Sequence, residues 1–185
     1  KKGENYYKSA KNKEAFLEFE IFIKEEPYEY EVRDALFKMG KIRFAEKSYA
    51  DSIMYFERLL KNYKTIKYNS EVKISLARSY FHLNVIPKSA EIFSEYVKNN
   101  RKPHELGFIA RYYLGKIHAK QKRKKDALQE LKIAISILKE KDIEEKNLAD
   151  ECLFLASKLS YEEKNLPDAY KYYNLISQKF LSQNP

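Results

Sequence analysis

Between Leu36 and Leu60 the apolar side chains of LFKMGKIRFAEKSYADSIMYFERLL fall on two stripes of helical spacing. Leu36, Met39, Gly40 and Phe44 form the first; Tyr49, Ile53, Phe56, Leu59 and Leu60 form the second. Residues three and four apart share a helix face, so the stretch reads as two amphipathic helices joined by a tight turn. Ser48-x-x-Asp51 falls where the second helix begins. A side-chain acceptor and a carboxylate both suit the unpaired N–H groups of a first turn, so Ser48 is expected to cap that helix. Gly40 stands twelve residues before Ser52, and Phe56 four after it. Two small residues are thus expected to face each other, letting the backbones approach closely.

The spacing recurs. A first small residue falls at Gly3, Gly40, Ala77, Gly115 and Ser157, and a second, twelve residues later, at Ala15, Ser52, Ser89, Ala127 and Ala169. Four residues further on come Phe19, Phe56, Phe93, Leu131 and Tyr173. Successive first-column residues are 37, 37, 38 and 42 apart. Coincidences held in register over the whole chain indicate internal repeats, each a helix pair that buries its apolar face only by stacking on its neighbour.

The pattern resembles the tetratricopeptide repeat, which carries W-x-x-L-G-x-x-Y, then Ala-x-x-x-Phe, then Pro. The Leu-Gly element stands as Met39-Gly40, Leu76-Ala77 and Leu114-Gly115. The second element stands as Ala15…Phe19, with near matches in Ser52…Phe56 and Ser89…Phe93, and Pro27 closes one repeat. The Trp column departs, since the chain has no Trp; Leu36 and Leu153 fill it in two repeats. The resemblance implies an all-α, right-handed α-solenoid of about five helix-turn-helix repeats, a single domain over 1–185. The repeats run at about 1–27, 28–66, 67–102, 103–141 and 142–185, the first truncated at its start. It implies a non-enzymatic interaction scaffold. The long periods are similar to those of bacterial envelope repeat proteins, such as the lipoprotein of the β-barrel assembly machinery. That likeness implies a periplasmic or membrane-associated setting, with the cytoplasm as the alternative.

Pro87 and Pro167 fall in first turns of second helices, where a missing N–H costs nothing, and Asn165-x-x-Asp168 supplies a cap. The last helix is expected over Pro167 to Phe180, with Tyr170, Tyr173, Ile176 and Phe180 on one face and no polar helix after it. That face is expected to continue into further chain, to dock a partner, or to make a homodimer. The chain opens without Met in mid-helix and reads as an excised fragment.

Charge and chemistry change this picture little. The net charge is +9. It fits an acidic partner, and equally a solvated lysine-rich surface, since charge speaks to association and not to fold. Cys152 is alone and reads as a packed small hydrophobe, so neither a disulfide within the chain nor a thiolate metal site is possible. His82, His104 and His118 have no metal-site spacing, and adjacent acids such as Glu144-Glu145 diverge by about 100° on a helix. No phosphate loop or nucleophile motif is present. No enzyme, cofactor or metal is expected.

Candidate contacts lie on the first helices. A basic residue follows the small column at Lys41, Arg78, Lys116 and Lys158, with Glu4 in the first repeat. Three residues later come Phe44, Phe81 and Tyr161; four before the basic residue come Phe37, Tyr112 and Phe154. These positions share a face, giving a basic ladder flanked by aromatics along a concave groove, fit for an acidic or amphipathic segment of another protein. The alternative is that the aromatics plug gaps between repeats while the lysines reach for water. The run Lys120-Gln121-Lys122-Arg123-Lys124-Lys125 falls on a turn. It reads either as a contact for a membrane surface, with nucleic acid less favoured, or as a solvated loop.

Overall fold

The computed structural model describes residues 2–25, 29–63, 69–100, 102–140 and 143–177. Among them are α1 (Lys2–Lys8), α2 (Asn12–Lys24), α3 (Glu29–Ala45), α4 (Tyr49–Asn62), α5 (Asn69–His82), α6 (Ile86–Asn99), α7 (Glu105–Lys120), α8 (Lys124–Glu140), α9 (Lys146–Glu162) and α10 (Leu166–Tyr173). No strand occurs among the described residues. The chain divides into two compact units, Lys1–Ser89 and Ala90–Pro185.

In the first unit, α1 packs on α2 and α3 on α4, and α3 and α5 each follow onto the preceding pair. Ala15, Phe16 and Phe19 of α2 meet Ala35, Met39 and Ile42 of α3. The small columns do what their spacing requires. Ser52 Oγ donates to Gly40 O at 3.0 Å, and Ser89 Oγ donates to Ala77 O at 2.9 Å. A methyl at Gly40 would lie 2.5 Å from Phe56 Cε1, so the ring occupies the space glycine leaves. Ser79 Oγ lies 3.0 Å from Ser52 Oγ, which carries a polar thread from α3 through α4 to α5. Paired in this way, the buried hydroxyls avoid a desolvation penalty of about 1–3 kcal/mol each.

In the second unit, α7 packs on α8, α9 on both of them, and α10 on α9. α7 buries Phe108, Tyr112, Tyr113 and Ile117. A methyl at Gly115 would sit 2.8 Å from Leu131 Cγ, the same close approach as at Gly40. Ser157 Oγ donates to Ala169 O at 2.8 Å, the mirror of the Ser52 bond, with the hydroxyl on the first helix instead of the second. Cys152 is buried, as its neighbours suggest, and burial pushes its thiol well above the usual range.

The turns share a feature that spacing does not announce. Ala10, Lys47, Asn84, Lys122 and Lys164 all have φ between 56° and 62°. Each stands seven residues after its small-column residue. At each, the N–H bonds back three residues and the next N–H bonds back five, as at Lys47 to Phe44 and Ser48 to Arg43. This left-handed cap ends the first helix and starts the turn.

Two expectations are corrected. Ser48 precedes α4, but its side chain accepts no N–H; Oγ donates to Asp51 Oδ2 at 2.9 Å. The carboxylate, the stronger acceptor, receives the hydroxyl's hydrogen bond. Asn165, by contrast, does accept from Asp168 N at 3.2 Å. The last helix ends at Tyr173, not near residue 180. Leu175 and Ile176 N–H bond back three residues, tightening the chain into a turn, and Asp150 then accepts from Ser177 N at 2.9 Å and from Ser177 Oγ at 2.5 Å. Ile176 is buried, while Phe180 and Pro27 lie outside the described residues.

Candidate partner-binding groove

The aromatics of the proposed ladder do not share one fate. Phe37, Phe81 and Tyr112 are buried. Phe37 packs 6.2 Å from Phe56, and the Tyr112 hydroxyl donates to Glu151. Burial first, and that bond second, push the Tyr112 phenol well above its ordinary range. These rings are used in packing between helices. Phe154 and Tyr161 are 42% and 68% exposed and remain able to touch a partner. Phe44 is half-buried, edge-on to Tyr49 and His82, with the Arg78 guanidinium 5.0 Å from its ring.

The cations divide similarly. Lys41 Nζ meets Glu71 Oε1 at 3.0 Å and lies 5.3 Å from the Phe37 ring. Lys116 Nζ is 3.5 Å from Glu151 Oε2 and 5.0 Å from the Tyr112 ring. In both cases the carboxylate comes from the next first helix. Lys158 is exposed. In the Lys120–Lys125 run, Arg123 pairs with Asp126 at 2.7 Å and Lys124 with Glu162 at 2.8 Å, so part of its charge is met within the chain.

Phe154, Lys158 and Tyr161 of α9 come together with Leu166, Tyr170 and Tyr173 of α10 around an open groove of about 430 Å³. Tyr170 is 71% exposed, Leu166 58% and Tyr173 47%. An apolar surface of this kind, with the charge of Lys158 in its lining, marks an interaction site more often than a single exposed side chain does. Sequence spacing marks Phe154, Lys158 and Tyr161 in a ladder and Tyr170 and Tyr173 at an end, but neither their union nor the part of Leu166 in it. The twelve-residue register joins them: Ser157 and Ala169, which sit between the two sets, are hydrogen bonded.

His104 also has a role that spacing does not suggest. Its Nδ1 accepts from Gly107 N at 3.2 Å, capping α7, and its Nε2 lies 3.0 Å from the Tyr96 hydroxyl. Among the described residues no cluster of His, Cys, Asp and Glu is placed to hold a metal ion, and no helix is long and apolar enough to cross a membrane.

Two sequence profiles described as tetratricopeptide repeat match residues 34–65 and 74–142, more than half the chain together. The chain belongs to the tetratricopeptide-repeat family. It is an all-α solenoid, and the family as a whole consists of protein-interaction scaffolds that are generally non-enzymatic. No curated protein matches the sequence. Among solved structures, a crystal structure of MamA is 16% identical with a TM-score of 0.69, covering 93% of this chain and 90% of that one. MamA from Desulfovibrio magneticus RS-1 is 11% identical with a TM-score of 0.73, covering 99% and 93%. The apo form of RapI is 19% identical with a TM-score of 0.77, covering 94% of this chain and 65% of that one. Likeness at such identities is one of fold.

Proposed function

We propose that this tetratricopeptide-repeat chain is a non-enzymatic adaptor that holds an acidic or amphipathic segment of a partner protein. The observation that carries the reading is the α9–α10 groove, where Phe154, Tyr161, Leu166, Tyr170 and Tyr173 surround the exposed Lys158. Aromatics there supply area that leaves water on binding, and the lysine selects a partner of opposite charge. On the first unit, Lys41, Phe44 and Arg78 belong to the same reading, at a surface whose charges are partly met within the chain.

The test is affinity capture from the cells the protein comes from, comparing wild type with Tyr170→Asp and Lys158→Glu. Partners lost with both variants, and kept with Met54→Asp on the exposed face of α4, support the groove. Unchanged capture by both variants, with melting temperatures intact, overturns it.

A second reading is self-association through α10, favoured by Leu175, 53% exposed, lying close after Tyr170 in the chain. It predicts a concentration-dependent dimer in sedimentation, dispersed by Tyr170→Asp. Contact of the whole run, Lys120, Lys122, Arg123, Lys124 and Lys125, with an anionic surface is a third, and it predicts binding to anionic vesicles that falls steeply with salt.

A further inference from the structure

The three junctions inside the units show what a groove of this kind accepts. At each, a first helix comes against the preceding helix pair: α3 onto α1–α2, α5 onto α3–α4, and α9 onto α7–α8. Each arriving helix has a carboxylate six residues before its small residue: Asp34, Glu71 and Glu151. An apolar residue comes directly after it, Ala35, Val72 or Cys152, each no more than 2% exposed. Another stands just before the small residue: Met39, Leu76 or Ala156. The carboxylate meets the basic residue of the pair it joins, Glu71 with Lys41 and Glu151 with Lys116. The first junction keeps the pairing with its signs exchanged. Glu4 replaces the base there, and Lys38 of α3 bridges it to Asp34.

The α9–α10 pair has the same receiving surface and Lys158 at the same place. The carboxylate four residues on, Glu162, is engaged by Lys124. We infer that the α9–α10 groove takes an amphipathic helix of a partner protein, seated as a further first helix, with a carboxylate against Lys158. The required face reads acid, apolar, three residues, apolar, small. This rests on the reading of the groove as the partner site and adds the occupant's conformation, charge and register.

Charge argues for a partner over a second copy. Two copies meeting groove to groove would set Lys158 against Lys158 about a twofold axis. The chain's own carboxylates in this register, Asp34, Glu71 and Glu151, are already held within the fold.

The probe is a fluorescent peptide copying residues 69–82, held helical by a lactam on its polar face and titrated by anisotropy into the whole chain. Saturable binding is expected, weakened about tenfold by Glu71→Lys in the peptide, since an attraction becomes a repulsion. The protein variant Lys158→Glu should reverse that preference, and Tyr170→Asp should abolish binding. No saturable binding, or equal affinity for both peptides on both proteins, overturns the inference. So does a groove-dependent dimer broken by Tyr170→Asp, which would put a second copy there. If cellular capture depends on Tyr170 but the peptides are not distinguished, the helical register fails while the partner site stands.

Discussion

The α3–α4 and α9–α10 pairs are built to one plan and end in opposite states. Phe37 and Phe154 stand three residues before the small column, Ile53 and Tyr170 thirteen after it, Phe56 and Tyr173 sixteen after it. In the first pair these residues are 6%, 8% and 0% exposed; in the second they are 42%, 71% and 47% exposed. The backbone register is shared, so the difference lies in the neighbouring helix. α5 lies against α3–α4, while among the described residues no first helix lies against α9–α10 from the C-terminal side. Burial in a repeat array is therefore a property of the junction and not of the position. The composition agrees: two phenylalanines and an isoleucine line the filled pair, while tyrosines, which tolerate water at one end, take two of the three places in the open one.

Truncating equivalent residues should break the symmetry most visibly. Phe56→Ala removes a fully buried ring and is expected to cost about 3–5 kcal/mol. Tyr173→Ala, half in water, should cost less than about 1 kcal/mol. Urea denaturation of both variants measures this. Equal losses would mean that the open groove is filled in solution.

The small column gives the next contrast. At Gly40 the Phe56 ring occupies the space of a Cβ, and Gly40→Ala is expected to destabilise by about 1–3 kcal/mol despite its better helix propensity. Ser157 already carries a Cβ, and its hydroxyl reaches Ala169 O, so Ser157→Ala should lose no more than about 1 kcal/mol. Thermal unfolding of the two variants separates overpacking from a lost hydrogen bond.

These contrasts mark what a sequence can and cannot convey. Gly40 and Ser52 are readable as neighbours because helical spacing fixes which residues face each other within a hairpin. Lys41 and Lys116 are readable as a column, but Glu71 and Glu151 are not readable as their partners, since that pairing depends on how one hairpin is seated on the next. For the same reason Phe37, Tyr112 and Phe154 look interchangeable in sequence, although two are core and one is surface. The end of α10 escapes helical periodicity because Asp150, which holds Ser177, comes from a different helix. The left-handed turn residues are invisible for a simpler reason: none of the five is glycine.

Those turns offer a control, because filled and open pairs should respond alike. Lys47 has φ 61° and Lys164 φ 60°, a region that costs residues with a Cβ about 1–2 kcal/mol relative to glycine. Part of that gain returns as backbone entropy in the unfolded chain. Lys47→Gly and Lys164→Gly are each expected to stabilise by about 0.5–1 kcal/mol. Calorimetric melting of the two variants should give matching rises. A gain at Lys47 alone would show that the turn before α10 is not the same turn.

The smallest effect concerns how the open pair is held from outside. Lys132 bonds Asp168 at 3.1 Å, tying α8 to α10, and holds the Asp168 carboxyl below its usual range. A carboxyl lowered by folding adds stability that is present above its unfolded pKa and is lost as pH falls through the folded value. Acid should therefore loosen α10. The exposed pair is worth no more than a few tenths of a kcal/mol, on the order of 0.3, after screening. In the filled part of the chain the sign runs the other way. Burial, and then its bond to Glu57, push the Tyr80 hydroxyl up to about 12. A phenol raised by folding is stabilising below its unfolded pKa, and that contribution fades as pH climbs from about 10 towards the folded value. Hydrogen exchange read at α10 and α5 tests both. Asp168→Asn should speed α10 exchange at pH 7 and make no difference once Asp168 is protonated. Tyr80→Phe should blunt the alkaline loosening of α5 and leave α10 untouched. Exchange at α10 that does not change as Asp168 is protonated would mean that the outer ion pair does not govern the open end.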